Sequence, residues 1–438
     1  DAKEYGSILT VTPQDWSALY DRFAEITEDI NMFRETALRE LLPLVQVAEA
    51  LSQKYDAVVT NPPYLGNARF SPLLDKYVKD NYADVKTDLS MVMFKKMLSK
   101  NIKKDGFIAF ITTSSWMFLS SFEKLRTFMF EYSSIESIVD FGTELFEGKV
   151  GHNPIVAWVN RKSHIAHGIT GIRLVDYCYS RRNEKEKEFF NEKNHHYSDQ
   201  TNFSKIPGSP VAYWVSEKLL DDFDNGKALS DYAIPRTGIM TGDNGRFLRI
   251  WWEVSFEKIN LHAQDAKIAI KSCLKWFPYN KGGEYRKWYG DNDYIVNWEG
   301  GGIELFENAK KEKRNAQDYP EKYKFKPAIS WSLVTSGQPA FRIKNNNLSD
   351  IAGPALFTEN AFFNQILSFC NSVVSLKILT MINPTINFQG GNIAQLPILD
   401  SELEKERINE RTNANVNISR VDWDSFETSW DFKKHPLI

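Results

Sequence analysis

The chain opens in a helical rhythm. Leu19, Phe23, Ile26 and Ile30 recur at helical spacing, and after Leu38 a second series runs through Leu41, Leu42, Val45, Val47 and Leu51, so residues 15–53 are predicted helical. The period then changes. Tyr55-Asp56-Ala57-Val58-Val59-Thr60 is short, β-branched and nearly all apolar, which predicts a buried strand. Asn61-Pro62-Pro63-Tyr64 ends it, because two prolines cannot continue a ladder, and Gly66 and Asn67 prolong the loop. A helix is predicted around Met91–Leu98, a strand over Gly106–Ile111, a polar turn over Thr112–Ser115 and a helix over Phe122–Phe130. Strands follow at Ile135–Phe141 and Pro154–Val159, and the alternation predicts an α/β layer with a largely parallel sheet.

Residues Arg181–Gln200 are polar and charged and read as a solvated excursion. Ile206-Pro207-Gly208-Ser209-Pro210 reads as a boundary. Beyond it, from Tyr213 to Phe341, tryptophan, tyrosine and glycine crowd together and strands are short, which predicts a mixed α+β domain. Helices are predicted at Ala361–Met381 and Glu402–Glu410. The expected domains are therefore 1–206, 207–400 and an acidic tail, 401–438.

Composition narrows the class. A chain of 438 residues with 42% hydrophobic and 25% charged residues is ordinary globular material for two or three domains. It holds no run of eighteen apolar residues, so no membrane-spanning helix is expected. The first residues, DAKEYGSILT, lack a signal-peptide pattern and an initiator Met, and the chain reads as part of a larger product. Cys178, Cys273 and Cys370 sit far apart, which argues against a disulfide framework and fits a reducing cytoplasm. The net charge of −3 hides a gradient: Arg236–Lys287 carries ten bases against five acids, whereas Asp400–Asp431 carries nine acids against four bases. A nucleic-acid site needs such a local basic face, not a basic total.

In YDAVVTNPPY a strand delivers Asn-Pro-Pro-Tyr at its carboxyl end, where open α/β sheets place their active sites. Methyl transfer to an exocyclic amine needs acceptors that hold the amine and align its lone pair. A neutral Asn carbonyl and a proline-fixed backbone carbonyl do so without a strong base. A neighbouring Tyr offers a face for stacking a planar substrate taken out of its duplex.

Asn61–Tyr64 resembles the catalytic motif of amino-methyltransferases that modify adenine in DNA. Helix Leu89–Leu98 and the strands GFIAFITTSSW, IESIVDFG and NPIVAWV follow the order of that family's later motifs. TGIMTGDNGRFLRIWWE, NPTINFQGGNIAQLPI and DWDSFETSWDF look closest to the large methyltransferases of bacteriophage-exclusion (BREX) defence systems, so the resemblance covers nearly the whole chain. It implies a partial doubly wound, Rossmann-like methyltransferase sheet followed by a target-recognition domain. It implies S-adenosylmethionine as cofactor and double-stranded DNA as partner, with other phage-defence proteins as further partners and no membrane. Asn61 would accept from the adenine amine with the Pro62 carbonyl, Pro63 would shape the loop, and Tyr64 and Phe146 would stack on the flipped base. Asn61 would also border the cofactor, and Asp1 would match the acid near the cofactor adenine.

One departure stands out: relatives carry a Phe-x-Gly-x-Gly-type turn before the catalytic motif, and this chain has none there. The expected activity is site-specific adenine methylation of DNA, in phage defence or restriction-modification. The alternatives are a non-catalytic DNA-reading module, or amine methylation of RNA or protein glutamine. His164, His167, His195 and His196 lie in polar connections without zinc-like spacing and are expected on the surface. Arg246, Arg249, Lys281, Arg286, Lys287 and Gln338 mix guanidinium, ammonium and amide groups with glycine and aromatic neighbours, and are the expected DNA contacts.

Overall fold

The helical pattern of residues 15–53 resolves into two helices, α1 (Trp16–Glu28) and α2 (Met32–Ser52), because Asn31 breaks the run and caps the second. Its side-chain oxygen accepts from the Phe33 and Arg34 N–H groups at 3.1 Å each. The computed structural model describes residues 2–28, 31–148, 152–163, 168–312, 318–383, 385–399, 404–435 and 437. It divides into two compact units, 1–216 and 217–438.

In the first unit the chain continues through β1 (Tyr55–Thr60), α3 (Pro72–Asn81), α4 (Leu89–Lys96), β2 (Ile102–Thr113), α5 (Glu123–Tyr132), β3 (Ser134–Gly142), β4 (Ile155–Arg161), β5 (Gly168–Arg173) and β6 (His195–Asp199). The strands form one sheet in the order β1-β2-β4-β3-β5-β6. The expected α/β layer is present, but the sheet is mixed and not largely parallel. β1 pairs parallel with β2 and β3 with β5, while β4 runs antiparallel to both β2 and β3. β4 returns directly beside β3 and wedges between β3 and β2, so that Trp158 faces both Phe110 and Ile138 in register. Its indole packs 4.6 Å from Phe94 and 4.5 Å from Trp116, ring centre to ring centre, in the core.

β1 departs from expectation in a second way. It is an edge strand, and Val59 is 78% exposed. Among the described residues no strand pairs along its outer edge, so a nearly all-apolar sequence does not produce burial here. Helices α1 and α2 likewise bury no residue, and Met32, Phe33, Leu41, Leu44 and Val47 are exposed.

The second unit begins with α6 (Glu217–Asn225). It holds β7 (Lys227–Ala228), β8 (Ala233–Arg236), β9 (Leu248–Ile250), β10 (Trp276–Asn280), β11 (Tyr294–Asn297), α7 (Ile303–Lys311), β12 (Ala328–Ser330), β13 (Arg342–Lys344), β14 (Leu348–Ser349), β15 (Ala355–Thr358), α8 (Asn360–Cys370), α9 (Val373–Ile382), β16 (Pro397–Ile398) and α10 (Lys405–Trp423). Two four-stranded sheets, β14-β10-β11-β9 and β13-β12-β15-β8, accompany a β16-β7 ribbon. Phe277, Trp298 and Phe325 interlock in the core. The helix predicted over Ala361–Met381 is two helices meeting at 74°, the second capped by Ser372. The charged helix predicted over Glu402–Glu410 extends instead to Trp423, and buries Thr412 and Val416. No single described helix is long and apolar enough to cross a membrane.

Candidate active site

β1, β2 and β3 run in one direction, so the segments that follow them share one end of the sheet. Asn61–Tyr64 leaves β1 there, with Asn61 and Pro63 exposed and Pro62 buried. Tyr64 folds back over the strand end: its hydroxyl donates to Asn61 Oδ1 at 2.7 Å and lies 3.2 Å from the Ile111 carbonyl of β2. A phenol has one proton, so the shorter contact to Asn61 is the stronger bond. Burial raises the Tyr64 pKa, which keeps the hydroxyl a donor. Asn61 Oδ1 thus has one lone pair committed and one available. The Pro62 carbonyl accepts no hydrogen bond among the described residues.

The loop is held from behind. Asn67 N–H donates to the Thr87 carbonyl at 3.1 Å, and Leu89 N–H donates to the Leu65 carbonyl at 2.9 Å. Between those partners Asp88 caps α4, accepting from Ser90 N–H at 2.8 Å, and burial raises its carboxyl pKa. The neighbouring loop after β2 is fixed by buried Arg126, which donates to the carbonyls of Trp116 (2.9 Å), Leu119 (2.8 Å) and Gly208 (2.6 Å). Burial draws that guanidinium down to about 10. Such backbone anchoring pre-organises Asn61 and Pro62.

Phe146 leaves the same sheet end but from β3. It lines a cavity of about 730 Å³ with Phe141, Leu145, Leu174, Phe189 and Phe190, and Asn61–Tyr64 takes no part in it. β2 and β4 lie between β1 and β3, a separation of three strand spacings or about 14 Å. Two rings enclosing a base stand about 7 Å apart, two van der Waals contacts. Phe146 and Tyr64 thus follow strands three places apart in the sheet, and the cavity that Phe146 lines does not include Tyr64. Arg181–Gln200, expected as a solvated excursion, supplies Phe189 and Phe190 to the cavity and then strand β6. The adjacent phenylalanines amid charges were the available signal. Buried Lys185 of the same segment donates to the Thr143 carbonyl.

In the second unit most of the expected DNA contacts have partners within the chain. Arg246 donates to Glu304 Oε1 (2.6 Å) and Asn308 Oδ1 (2.9 Å) on α7. Arg249 donates to the Gly245 and Leu248 carbonyls at 2.6 Å each and lies over the Trp276 ring. Lys281 pairs with buried Asp350 at 2.8 Å, and Lys287 donates to the Asn371 carbonyl at 2.9 Å. Arg286 pairs with Asp422 of α10 at 2.8 Å and stacks on Trp423. Gln338 is exposed, and its amide has no partner among the described residues. Sequence reasoning missed two buried bases, Arg342 and Lys344. Arg342 pairs with Asp291 at 3.0 Å, and Lys344 donates to the Gly290 and Asp291 carbonyls and to Asn292 Oδ1. Burial, reinforced by Arg342, pushes the Lys344 ammonium down to about 7.

His195 lies on β6 with Nε2 2.8 Å from the Phe189 carbonyl oxygen, and both it and His196 are half-buried. No group of three potential metal ligands occurs among the described residues. His164, His167 and Asp1 lie outside the described residues.

Residues 7–146 match the family described as Eco57I restriction-modification methylase. The adenine-specific methyltransferase PglX of Lacticaseibacillus casei (strain Zhang) is 36% identical over 414 residues, covering 91% of this chain and 34% of its own length. The adenine-specific methyltransferase BrxX of Escherichia coli O9:H4 (strain HS) is 34% identical over 450 residues, covering 100% of this chain and 35% of its own. Among solved structures, the Type IIL restriction-modification enzyme MmeI in complex with DNA superposes with a TM-score of 0.50 at 12% identity, over 86% of this chain and 50% of that one. That likeness bears out the mixed α/β fold. The chain spans about a third of the length of the curated relatives it matches. It is thus similar, along nearly its whole length, to the adenine-specific methyltransferases PglX and BrxX, as the Asn-Pro-Pro-Tyr motif and the later motifs imply.

Proposed function

We propose that this chain supplies the amine-holding loop and the target-recognition part of a site-specific DNA adenine methyltransferase. The reaction moves a methyl group from S-adenosylmethionine to the 6-amino group of a flipped adenine, as host-marking in phage defence or restriction-modification. The observation that carries the reading is the pair of available acceptors, Asn61 Oδ1 and the Pro62 carbonyl, on a rigid loop at the carboxyl end of β1. Each accepts one amine hydrogen, and the nitrogen lone pair is left facing the incoming methyl group. Tyr64 stacks on one face of the base while its hydroxyl steadies Asn61. Phe146 serves as the second wall when its loop folds across the sheet end. Arg246, Arg249, Lys281, Arg286 and Lys287 meet DNA by exchanging their internal partners for phosphate or base edges.

S-adenosylmethionine supplies the methyl group when bound, and Asn61 borders it. The residues present do not build its amino-acid end, since the sequence before Asn61 contains one glycine, Gly6, and no glycine-rich turn. We infer that further strands of a longer protein pair along the open edge of β1 and bring that turn. Exposed Val59 and the exposed apolar residues of α2 support this. The missing turn equally favours a DNA-reading role for this chain taken alone.

The test uses the longer protein. Asn61→Ala is expected to lower methyl transfer to below about a tenth of wild type with DNA affinity nearly unchanged, because affinity comes mainly from phosphate contacts. Methyl-transfer and gel-shift assays on purified protein check it. Activity above about a tenth of wild type in Asn61→Ala overturns the catalytic assignment.

A further inference from the structure

Two loops of the second unit meet as a ribbon, 333–338 and 385–389. Thr335 N–H donates to the Ile386 carbonyl at 2.9 Å, Phe388 N–H donates to the Leu333 carbonyl at 2.7 Å, and Val334 bridges Asn387 antiparallel. The ribbon stands on buried supports: Trp331 Nε1 donates to the Phe388 carbonyl at 2.7 Å and Asn383 Nδ2 to the Asn387 carbonyl at 2.6 Å. Its exposed face is unusual for this surface. Val334, 56% exposed, stands opposite Asn387 on one face, while Ile386, 58% exposed, stands opposite Thr335 on the other. The Asn387 and Gln338 side chains are exposed with no partner among the described residues. In a chain that is 25% charged, neither loop carries a charge.

We propose that this ribbon tip is a base-reading element that enters the major groove of double-stranded DNA. The inference deepens the methyltransferase reading and rests on it. The major groove admits a two-stranded ribbon; Asn and Gln amides match the adenine N6/N7 pair, and small apolar groups match the thymine methyl. Gln338 and Asn387 can make those bonds without giving up a partner, whereas Lys281, Arg286 and Arg246 must first leave Asp350, Asp422 and Glu304. Val334, on the same face as Asn387, is placed to meet the methyl group of an adjacent A·T pair. The backbone supports fix the tip before binding, so recognition does not have to order a loop.

The experiment uses the longer protein and duplexes carrying its modified site, or that site with each base pair replaced in turn. Asn387→Ala and Gln338→Ala are expected to lose on the order of 10- to 100-fold of discrimination at one A·T pair each while still methylating the original site. Asn387→Asp provides a readout that damage to the fold cannot produce, because a carboxylate accepts from the cytosine amine: preference at that position moves from adenine towards cytosine. Unchanged discrimination in both alanine variants overturns the proposal, as does an equal loss on every duplex with no shift in Asn387→Asp. If the wild-type protein binds the site selectively but methylates nothing, the methyltransferase reading fails, and binding discrimination of the same variants decides the tip on its own.

Discussion

At the residue scale, the decisive contact is the 2.7 Å bond from the Tyr64 hydroxyl to Asn61 Oδ1. The motif and its place after a strand made Asn61–Tyr64 legible as a candidate site. The bond itself was not legible, because it depends on Tyr64 folding back towards Ile111 across β2, a tertiary contact. On the proposed reading, Tyr64 has two separable duties, tethering Asn61 and stacking on the base. Tyr64→Phe keeps the ring and removes the tether, so a loss of roughly fivefold in the single-turnover methylation rate is expected, the worth of one ordinary hydrogen bond. Tyr64→Ala also removes the stacking face and should cost roughly tenfold more. Wild-type rates in Tyr64→Phe contradict the tether, and equal rates in the two variants contradict stacking. The expected DNA-reading bases show the opposite lesson. Their types and glycine neighbours were visible, but the carboxylates that hold them come from distant segments such as Glu304 and Asp422.

At the element scale, β1 departs from its sequence signature, and β13 carries a buried base that sequence reasoning missed. Ala57-Val58-Val59 reads as buried because apolar periodicity cannot tell which neighbouring strand is present. The structure leaves its outer edge open, with Val59 78% exposed. Val59→Asp is therefore expected to leave the melting temperature of this chain nearly unchanged, but to destabilise the longer protein by about 2 kcal/mol or more, where an added strand buries the position. Equal, small effects in both proteins contradict pairing along β1. On β13, Lys344 is buried against the Gly290 and Asp291 carbonyls and Asn292. Lys344→Met strands those acceptors, and urea unfolding should report a loss on the order of 3 kcal/mol. A loss well under about 1 kcal/mol would show that the acceptors find other partners.

At the scale of the first unit, the sheet order β1-β2-β4-β3-β5-β6 sends the carboxyl ends of β1, β2, β3 and β5 to one end of the sheet and places the Asn61–Tyr64 loop at its edge. The alternation of strands and helices was enough to predict the α/β layer. It could not predict the reversal of β4, since a strand's direction is not written in its hydrophobicity. The absence of a glycine-rich turn before Asn61 leads to a further expectation. This chain alone should bind S-adenosylmethionine weakly or not at all by calorimetry, and a dissociation constant of about 1 μM, near −8 kcal/mol, would mean that the cofactor site lies elsewhere. The central claim is tested most directly by nucleoside analysis of DNA and RNA from cells carrying the longer protein, either wild type or Asn61→Ala. N6-methyladenine is expected in DNA with the wild type, and none above background with Asn61→Ala. A wild type that leaves DNA unmethylated, a mark that appears in RNA instead, or an Asn61→Ala protein that methylates DNA as well as wild type contradicts the proposed reading.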